Sequence, residues 1–182
     1  MPDIMDKKPA EQKRKTPRKI SKTYLENAAL YYLQRYATSA ANLRRVLLRK
    51  VKRSCAFHEM DEDEFTPLVD ELVARYKTVG LLDDQSFARA RVASLRRQGL
   101  SERAIMAKLQ IKGLTPAQID AALKNVDAEQ DDAEAVAAAA YAKRKKLGPW
   151  RKRPADPQKE LASMARAGFS YDVAVKALKD RD

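Results

Sequence analysis

Apolar residues along this chain recur at spacings of three and four, the period of a helix that buries one face. The first stripe comprises Leu25, Ala28, Ala29, Tyr32, Leu33 and Tyr36. Further stripes follow, each beginning near a residue that can cap a helix, and one of them runs through Val136, Ala140 and Leu147. The strict alternation of a half-buried strand is absent. The pattern predicts nine helices and an all-α fold.

One turn-and-helix signature occurs twice in the chain. The first copy contains Lys112-Gly113-Leu114-Thr115 and closes at Leu123, and the second contains Gly168-Phe169-Ser170 and closes at Leu178. Gly can end one helix, and the hydroxyl residue can cap the next. The repetition predicts three tandem three-helix repeats, over residues 24–82, 83–127 and 128–182, that form an elongated curved solenoid. Such repeats usually offer an extended surface to a partner and lack an enclosed active site.

The net charge of the chain indicates what kind of partner it could bind. The formal net charge of +12 favours nucleic acid, an acidic protein face or a membrane surface. No apolar run reaches the roughly 20 residues that span a bilayer, so a membrane is not expected. Residues 1–23 are rich in Lys, Arg and Pro and predict a disordered basic arm. A single cysteine and the lack of a secretory signal fit the cytoplasm.

Three groups of residues are candidates for binding an anionic partner. The second helix has no acidic residue between Arg44 and Arg53, and for its cations we favour an anion-binding face over a solvated one; the candidates are Arg44, Arg45, Arg49, Lys52 and Arg53. The central unit carries a second group, for which exposed solubilising charge is about as good an explanation: Arg89, Arg96, Arg97 and Lys112. The third unit carries Lys143, Arg144, Trp150 and Arg151. For Trp150 we favour packing over the Gly148-Pro149 corner, with base stacking as the alternative.

Catalytic and metal-binding patterns are weak. Cys55 and His58 have the spacing of half a zinc site, but no second pair follows and His58 is the only histidine, so zinc is not expected. The acidic residues 61–64 and the pair Asp83-Asp84 are typical of helix starts. Without a phosphate-binding loop or a catalytic triad, the sequence predicts a protein that is not an enzyme and needs no cofactor.

An ordered series of residues in the centre of the chain resembles the RecX family of bacterial RecA modulators. The series consists of Gly80-Leu81-Leu82-Asp83-Asp84, Phe87-Ala88, Arg91, Gly99, Leu100, Ile105, Leu109, Lys112-Gly113-Leu114, Ile119 and Ala122-Leu123. The first unit departs from the family pattern because it lacks a Lys-Gly turn, and the third carries extra residues around Trp150.

The resemblance implies three three-helix repeats that bind in the groove of the RecA–DNA filament. It also implies inhibition of the strand-exchange, ATPase and coprotease functions of RecA in DNA repair and the SOS response. The expected partners are then the RecA filament and single- and double-stranded DNA, and the expected state is a monomer. The alternative is a nucleic-acid-binding repeat protein that acts without RecA.

Overall fold

The computed structural model of this chain describes residues 16–152, 154 and 156–179. These residues form nine α-helices, one 3₁₀ helix at Gly148–Trp150 and no strand, which confirms the all-α prediction for this part of the chain. The α-helices are α1 (Lys22–Leu33), α2 (Ala40–His58), α3 (Thr66–Thr78), α4 (Asp84–Arg97), α5 (Glu102–Ile111), α6 (Pro116–Asp127), α7 (Ala133–Lys145), α8 (Pro157–Arg166) and α9 (Tyr171–Lys179).

Each group of three helices encloses a hydrophobic core of its own. The first core joins α1, α2 and α3 around Leu43 and Leu47 and extends from Ile20 to Leu82. The second joins α4, α5 and α6 around Ile105 and Ile119, and the third joins α7, α8 and α9 around Met164. These small cores follow the order of the chain, as expected for tandem units.

Several helix starts and one turn lie where the local sequence predicts them. The side chains of Ser39, Ser101 and Thr115 each accept a hydrogen bond from a backbone N–H in the first turn of the helix that follows. Asp83 does the same for α4. Gly113 lies just past α5 with a φ of +82°, a left-handed conformation that suits a residue without Cβ.

Two of these capping serines also make a second hydrogen bond, which joins neighbouring units. The Ser39 hydroxyl donates to the backbone carbonyl of Lys112, at the C-terminal end of α5. The Ser101 hydroxyl donates to the carbonyl of Ala167, at the C-terminal end of α8, over 2.6 Å. The middle helices of the three units therefore meet end to end in the order α8, α5, α2, and we call this row the spine.

We call the contact between α5 and α2 the first joint and the contact between α8 and α5 the second joint. A carboxylate makes a further hydrogen bond at each of them. Asp84 of α4 accepts from the backbone N–H of Ala40 over 2.8 Å, and Glu134 of α7 accepts from that of Glu102 over 3.1 Å. Each carboxylate belongs to the first helix of one unit and satisfies the middle helix of the unit before it. Its negative charge also lies at the positive end of a helix dipole, which is stabilising.

Three apolar positions differ from the predicted stripes. Tyr36 follows the end of α1 and is 55% exposed, and Leu147 follows the end of α7. Val136 is 45% exposed, because α7 turns a row of small side chains toward α4 and α9 instead: Ala133, Ala137, Ala138 and Ala142. Alanine lets helix backbones approach closely, so a helix that packs on two neighbours can bury it in preference to a larger residue.

The predicted disordered arm is wrong for residues 16–23, and residues 1–15 lie outside the described residues. Residues 16–20, which we call the N-terminal strap, pack along the C-terminal half of α2, where the Ser54 hydroxyl donates to the Arg18 carbonyl over 2.8 Å. His58 hydrogen-bonds the Pro17 carbonyl, and Ile20 is buried in the first core. Two side chains in α2 thus satisfy strap carbonyls that sequence composition alone leaves without partners.

We predict that Gly113→Ala destabilises the chain more than Gly80→Ala. Both glycines have a positive φ, +82° and +75°, so both substitutions strain the backbone by about 1 kcal/mol. A Cβ at Gly113 would also collide with the Ala41 side chain across the first joint, whereas one at Gly80 meets nothing within 4 Å. Urea unfolding should show a further loss of about 1–3 kcal/mol at Gly113. Equal losses would contradict the close contact at the joint.

We also predict that Ser101→Asp keeps the hydrogen bond that caps α5 and removes the one to the Ala167 carbonyl. Aspartate caps a helix as well as serine does, but a carboxylate has no proton for the Ala167 carbonyl and repels it. The free energy of unfolding should fall by about 2 kcal/mol. Ser21→Asp is the control, because Ser21 caps α1 at an exposed position and its change should stay within about 0.5 kcal/mol. Equal effects of both substitutions would refute the bridging role.

Candidate interaction surface

The outer side of α2 is the largest exposed cationic face that the sequence predicted. Leu43, Leu47 and Val51 turn inward, and the opposite side of the helix presents four exposed cations: Arg45, Arg49, Lys52 and Arg53. None of the four forms a salt bridge with a described acidic residue. Arg45 reaches across the first joint and donates to the Ile111 carbonyl over 2.8 Å, beside the exposed Lys112. The structure thus brings Arg45 of this face to the end of α5, next in the chain to Lys112 of the second predicted group.

Arg44, predicted with this group, points elsewhere. Its guanidinium donates two hydrogen bonds to Asp70 of α3, at 2.5 and 3.0 Å. These bonds hold the pKa of the Asp70 carboxyl below its usual value. The absence of acidic neighbours within α2 did not reveal this pair, since Asp70 lies on another helix. Arg44 contributes less to an anion-binding face than its neighbours do, because its charge is already matched.

The second predicted group contains both exposed and buried arginines. Arg89 and Arg97 are exposed on α4, but Arg96 is only 8% exposed and forms a salt bridge of 2.6 Å with Asp127 and another with Glu134. Burial opposes the charge of the Arg96 guanidinium, yet the hydrogen bonds to these carboxylates outweigh it and raise its pKa. The prediction that Arg96 lies on an exposed basic face is wrong. It instead fastens the second unit to the third.

Most of the third predicted group contacts other residues of this chain. Arg151 bonds to the buried Glu160 over 3.0 Å, and Arg144 donates to the Gln98 carbonyl at the end of α4. Trp150 is half-buried and packs against the third core, which favours the packing interpretation. Lys143 remains exposed on α7. Within this group, Arg144 therefore contacts the C-terminal end of α4, while Trp150 ends the 3₁₀ helix that packs on the third core.

Charge is unevenly distributed between the spine and the other helices. Helices α2, α5 and α8 together contain ten Lys or Arg residues and two Glu residues. One of the two, Glu160, is buried, and most acidic residues of the remaining helices lie at caps, joints or ion pairs. We call the exposed cations of the three spine helices the basic ridge; six of the ten basic residues of the spine lie on α2. The sequence contained its cations but not the end-to-end arrangement that joins them.

The residues suspected of forming half a zinc site have other roles. Cys55 is buried, which raises the pKa of its thiol, and its sulfur faces the Asp61 carbonyl. His58 bonds to the strap. Within residues 16–152, 154 and 156–179, no group of three His, Cys, Asp or Glu side chains could hold a metal ion.

Known proteins share both the sequence and the arrangement of these helices. Residues 83–123, from the Asp83 cap through most of α6, match the family model described as RecX, second three-helix domain. Regulatory protein RecX of Myxococcus xanthus is 45% identical over 177 residues, covering 95% of this chain and 93% of that protein. This chain belongs to the RecX family. Regulatory protein RecX of Agrobacterium fabrum is 31% identical over 159 residues, covering 86% of this chain and 82% of its own length.

Crystal structures of RecX proteins have the same fold. The RecX structure from Lactobacillus salivarius aligns with a TM-score of 0.63 at 20% identity, over 86% of this chain and 94% of that one. A second RecX crystal structure aligns with a TM-score of 0.60 at 18% identity, over 86% of this chain and 70% of that one. These alignments agree with the arrangement of the described helices. Among these helices, none is long and apolar enough to cross a membrane.

We predict that Arg96→Gln affects stability, whereas Arg97→Gln leaves it nearly unchanged. Removing the Arg96 charge leaves Asp127 and Glu134 facing each other without a cation, at a cost of about 3 kcal/mol. Arg97 is exposed next to it, so its loss should change the free energy of unfolding by less than about 0.5 kcal/mol. Urea denaturation of both variants tests this. Two equally stable variants would contradict the role of Arg96 at the joint.

Proposed function

We propose that this chain regulates RecA, mainly as an inhibitor, by lying in the groove of the RecA–DNA filament. The observation that carries the proposal is the basic spine of a RecX-family chain, whose relatives are named regulatory proteins. An exposed ridge of cations suits a polyanionic or acidic partner. In this role the protein acts in the cytoplasm as a monomer, in DNA repair and the SOS response, and suppresses the recombinase, ATPase and coprotease activities.

The proposed mechanism is steric and electrostatic. The three spine helices contain 19, 10 and 10 residues, so their summed length is roughly 60 Å and the spine is at most that long. In the proposal, an array of this size bridges neighbouring RecA subunits and obstructs the approach of a DNA duplex or a repressor. The joints attach each unit to its neighbour, so binding one unit positions the next and raises its effective concentration at the filament.

The exposed members of the predicted site supply the contacts in this proposal. Those with the fewest internal partners are Arg49, Lys52, Arg53, Arg89, Arg97, Lys112 and Lys143. Because Arg45 supports the first joint and Arg53 lies at the edge of the outer face of α2, Arg49 and Lys52 offer the clearest test of that face. They are exposed, face outward and form no salt bridge in the described part of the chain.

A second candidate function is nucleic-acid binding without RecA. It is favoured by the same exposed cations, which suit phosphate groups on any strand. The two functions differ in their dependence on salt and nucleotide, because binding to phosphates alone weakens steeply with salt and does not require nucleotide-bound RecA.

We predict that Arg49→Glu/Lys52→Glu weakens inhibition of RecA ATPase activity on single-stranded DNA. If both residues contact phosphates, DNA affinity also falls and the slope of log K against log salt flattens by roughly 1.4–1.8. If they face RecA instead, inhibition falls while binding to DNA alone is unchanged.

Lys77→Glu/Lys124→Glu is the matched control, since it reverses the same number of exposed charges on α3 and α6. It should leave inhibition within about twofold of the unmodified chain. An unmodified chain that does not inhibit RecA would overturn the proposed function. A folded Arg49→Glu/Lys52→Glu variant that behaves like the control in both assays would reduce this face to ordinary solvated charge.

A further inference from the structure

The N-terminal strap and α2 enclose a cleft that the predicted site did not include. The cleft has a volume of about 380 Å³ and is lined by Thr16, Pro17, Arg18, Tyr24, Lys50, Arg53 and Ser54. Its wall forms because the buried Ser54 hydroxyl and the His58 ring hold the Arg18 and Pro17 carbonyls against α2. The cleft is thus part of the folded first unit.

The lining of the cleft is cationic on both sides. Arg18 comes from the strap, and Lys50 and Arg53 come from α2, while no carboxylate lines the space. None of the three forms a salt bridge with an acidic residue in the described ranges. Guanidinium and ammonium groups that converge in this way suit phosphate oxygens, which accept hydrogen bonds from several donors at once.

The position of the cleft is peculiar to the first unit. Helix α2 has 19 residues, whereas its counterparts α5 and α8 have 10 each. The additional turns carry Lys50, Arg53 and Ser54 and provide the surface on which the strap lies. The long α2 therefore has two cationic sides, one facing outward with Arg49 and Lys52 and one facing the strap, with Arg53 between them.

We propose that this cleft binds the backbone of a single-stranded nucleic acid, with an unpaired base stacked on Tyr24. Arg18, Lys50 and Arg53 contact successive phosphates, and Tyr24, which is half-buried against the first core, offers the base the part of its side chain that lines the cleft. Stacking on a tyrosine ring requires a base that is not held inside a duplex. The inference deepens the proposed function by assigning one DNA contact to a defined place, and it is tested without RecA.

The first test measures binding of a fluorescent oligothymidylate by anisotropy at several salt concentrations. Arg18→Gln/Lys50→Gln should weaken binding about tenfold and flatten the salt slope by roughly 1.4, since two phosphate contacts are lost. Lys77→Gln/Lys124→Gln removes the same charge elsewhere and should change affinity less than about twofold. Equal losses in the two variants would overturn the cleft in favour of general attraction by net charge.

A duplex of the same length distinguishes single strands from phosphate in general. The loss caused by Arg18→Gln/Lys50→Gln should be clearly smaller on the duplex, and an equal loss overturns the assignment to single strands. Failure of the unmodified chain to bind the oligothymidylate also overturns the cleft, whatever it does to RecA. Normal strand binding without RecA inhibition would instead overturn only the proposed function.

A second test locates the base directly. An oligonucleotide containing 5-iodouracil is irradiated in complex with the unmodified chain, and the cross-linked peptide is sequenced by mass spectrometry. A cross-link at Tyr24 supports the proposal, and Tyr24→Leu should then weaken binding about fivefold or more. Cross-links confined to other aromatic residues, such as the exposed Tyr31 or Tyr171, would refute it.

Discussion

The arrangement of the three units depends on capping serines whose hydroxyl groups hydrogen-bond to two helices at once. At Ser39 and Ser101 the oxygen accepts from its own helix and the proton goes to the last turn of a helix in the next unit. Both serines are fully buried. A buried hydroxyl that lost either partner would pay the cost of desolvation without compensation. The end-to-end order of α8, α5 and α2, and hence the continuity of the basic ridge, follows from these two residues.

Several acidic residues accept hydrogen bonds from buried donors where the three units meet. Asp84 and Glu134 accept backbone N–H groups at the joints, and Asp127 and Glu134 enclose Arg96. Carboxylates used in this way neutralise helix ends and one buried arginine and leave the outer side of α2 without acidic neighbours. The exposed cations on the outer side of α2 therefore keep their charge without a carboxylate partner among the described residues.

Local features of this fold could be predicted from sequence, and long-range ones could not. Caps such as Ser101 and the turn at Gly113 depend on residues within a few positions, as does the outward direction of Arg49. The Arg96 salt bridges join residues up to 38 positions apart, and the Ser39 bond spans 73. No period or spacing reports such pairs. The strap was missed for a related reason, since its composition is that of a disordered segment and its order comes from Ser54 and His58 on another element.

Helix α8 is capped by an aspartate, whereas the other two spine helices are capped by serines. The capping side chain of α8 therefore has no proton to donate. Asp156 occupies the capping position there, and its carboxylate accepts from the Gln158 N–H over 2.9 Å. A carboxylate satisfies the helix beneath it but offers nothing to an approaching carbonyl and repels it. The N-terminal end of α8 is thus chemically unlike the ends of α2 and α5 and cannot receive another helix terminus in the same way. In the spine, a serine cap joins its helix to the end of a helix in the next unit, whereas the aspartate cap of α8 lies at the end of the row.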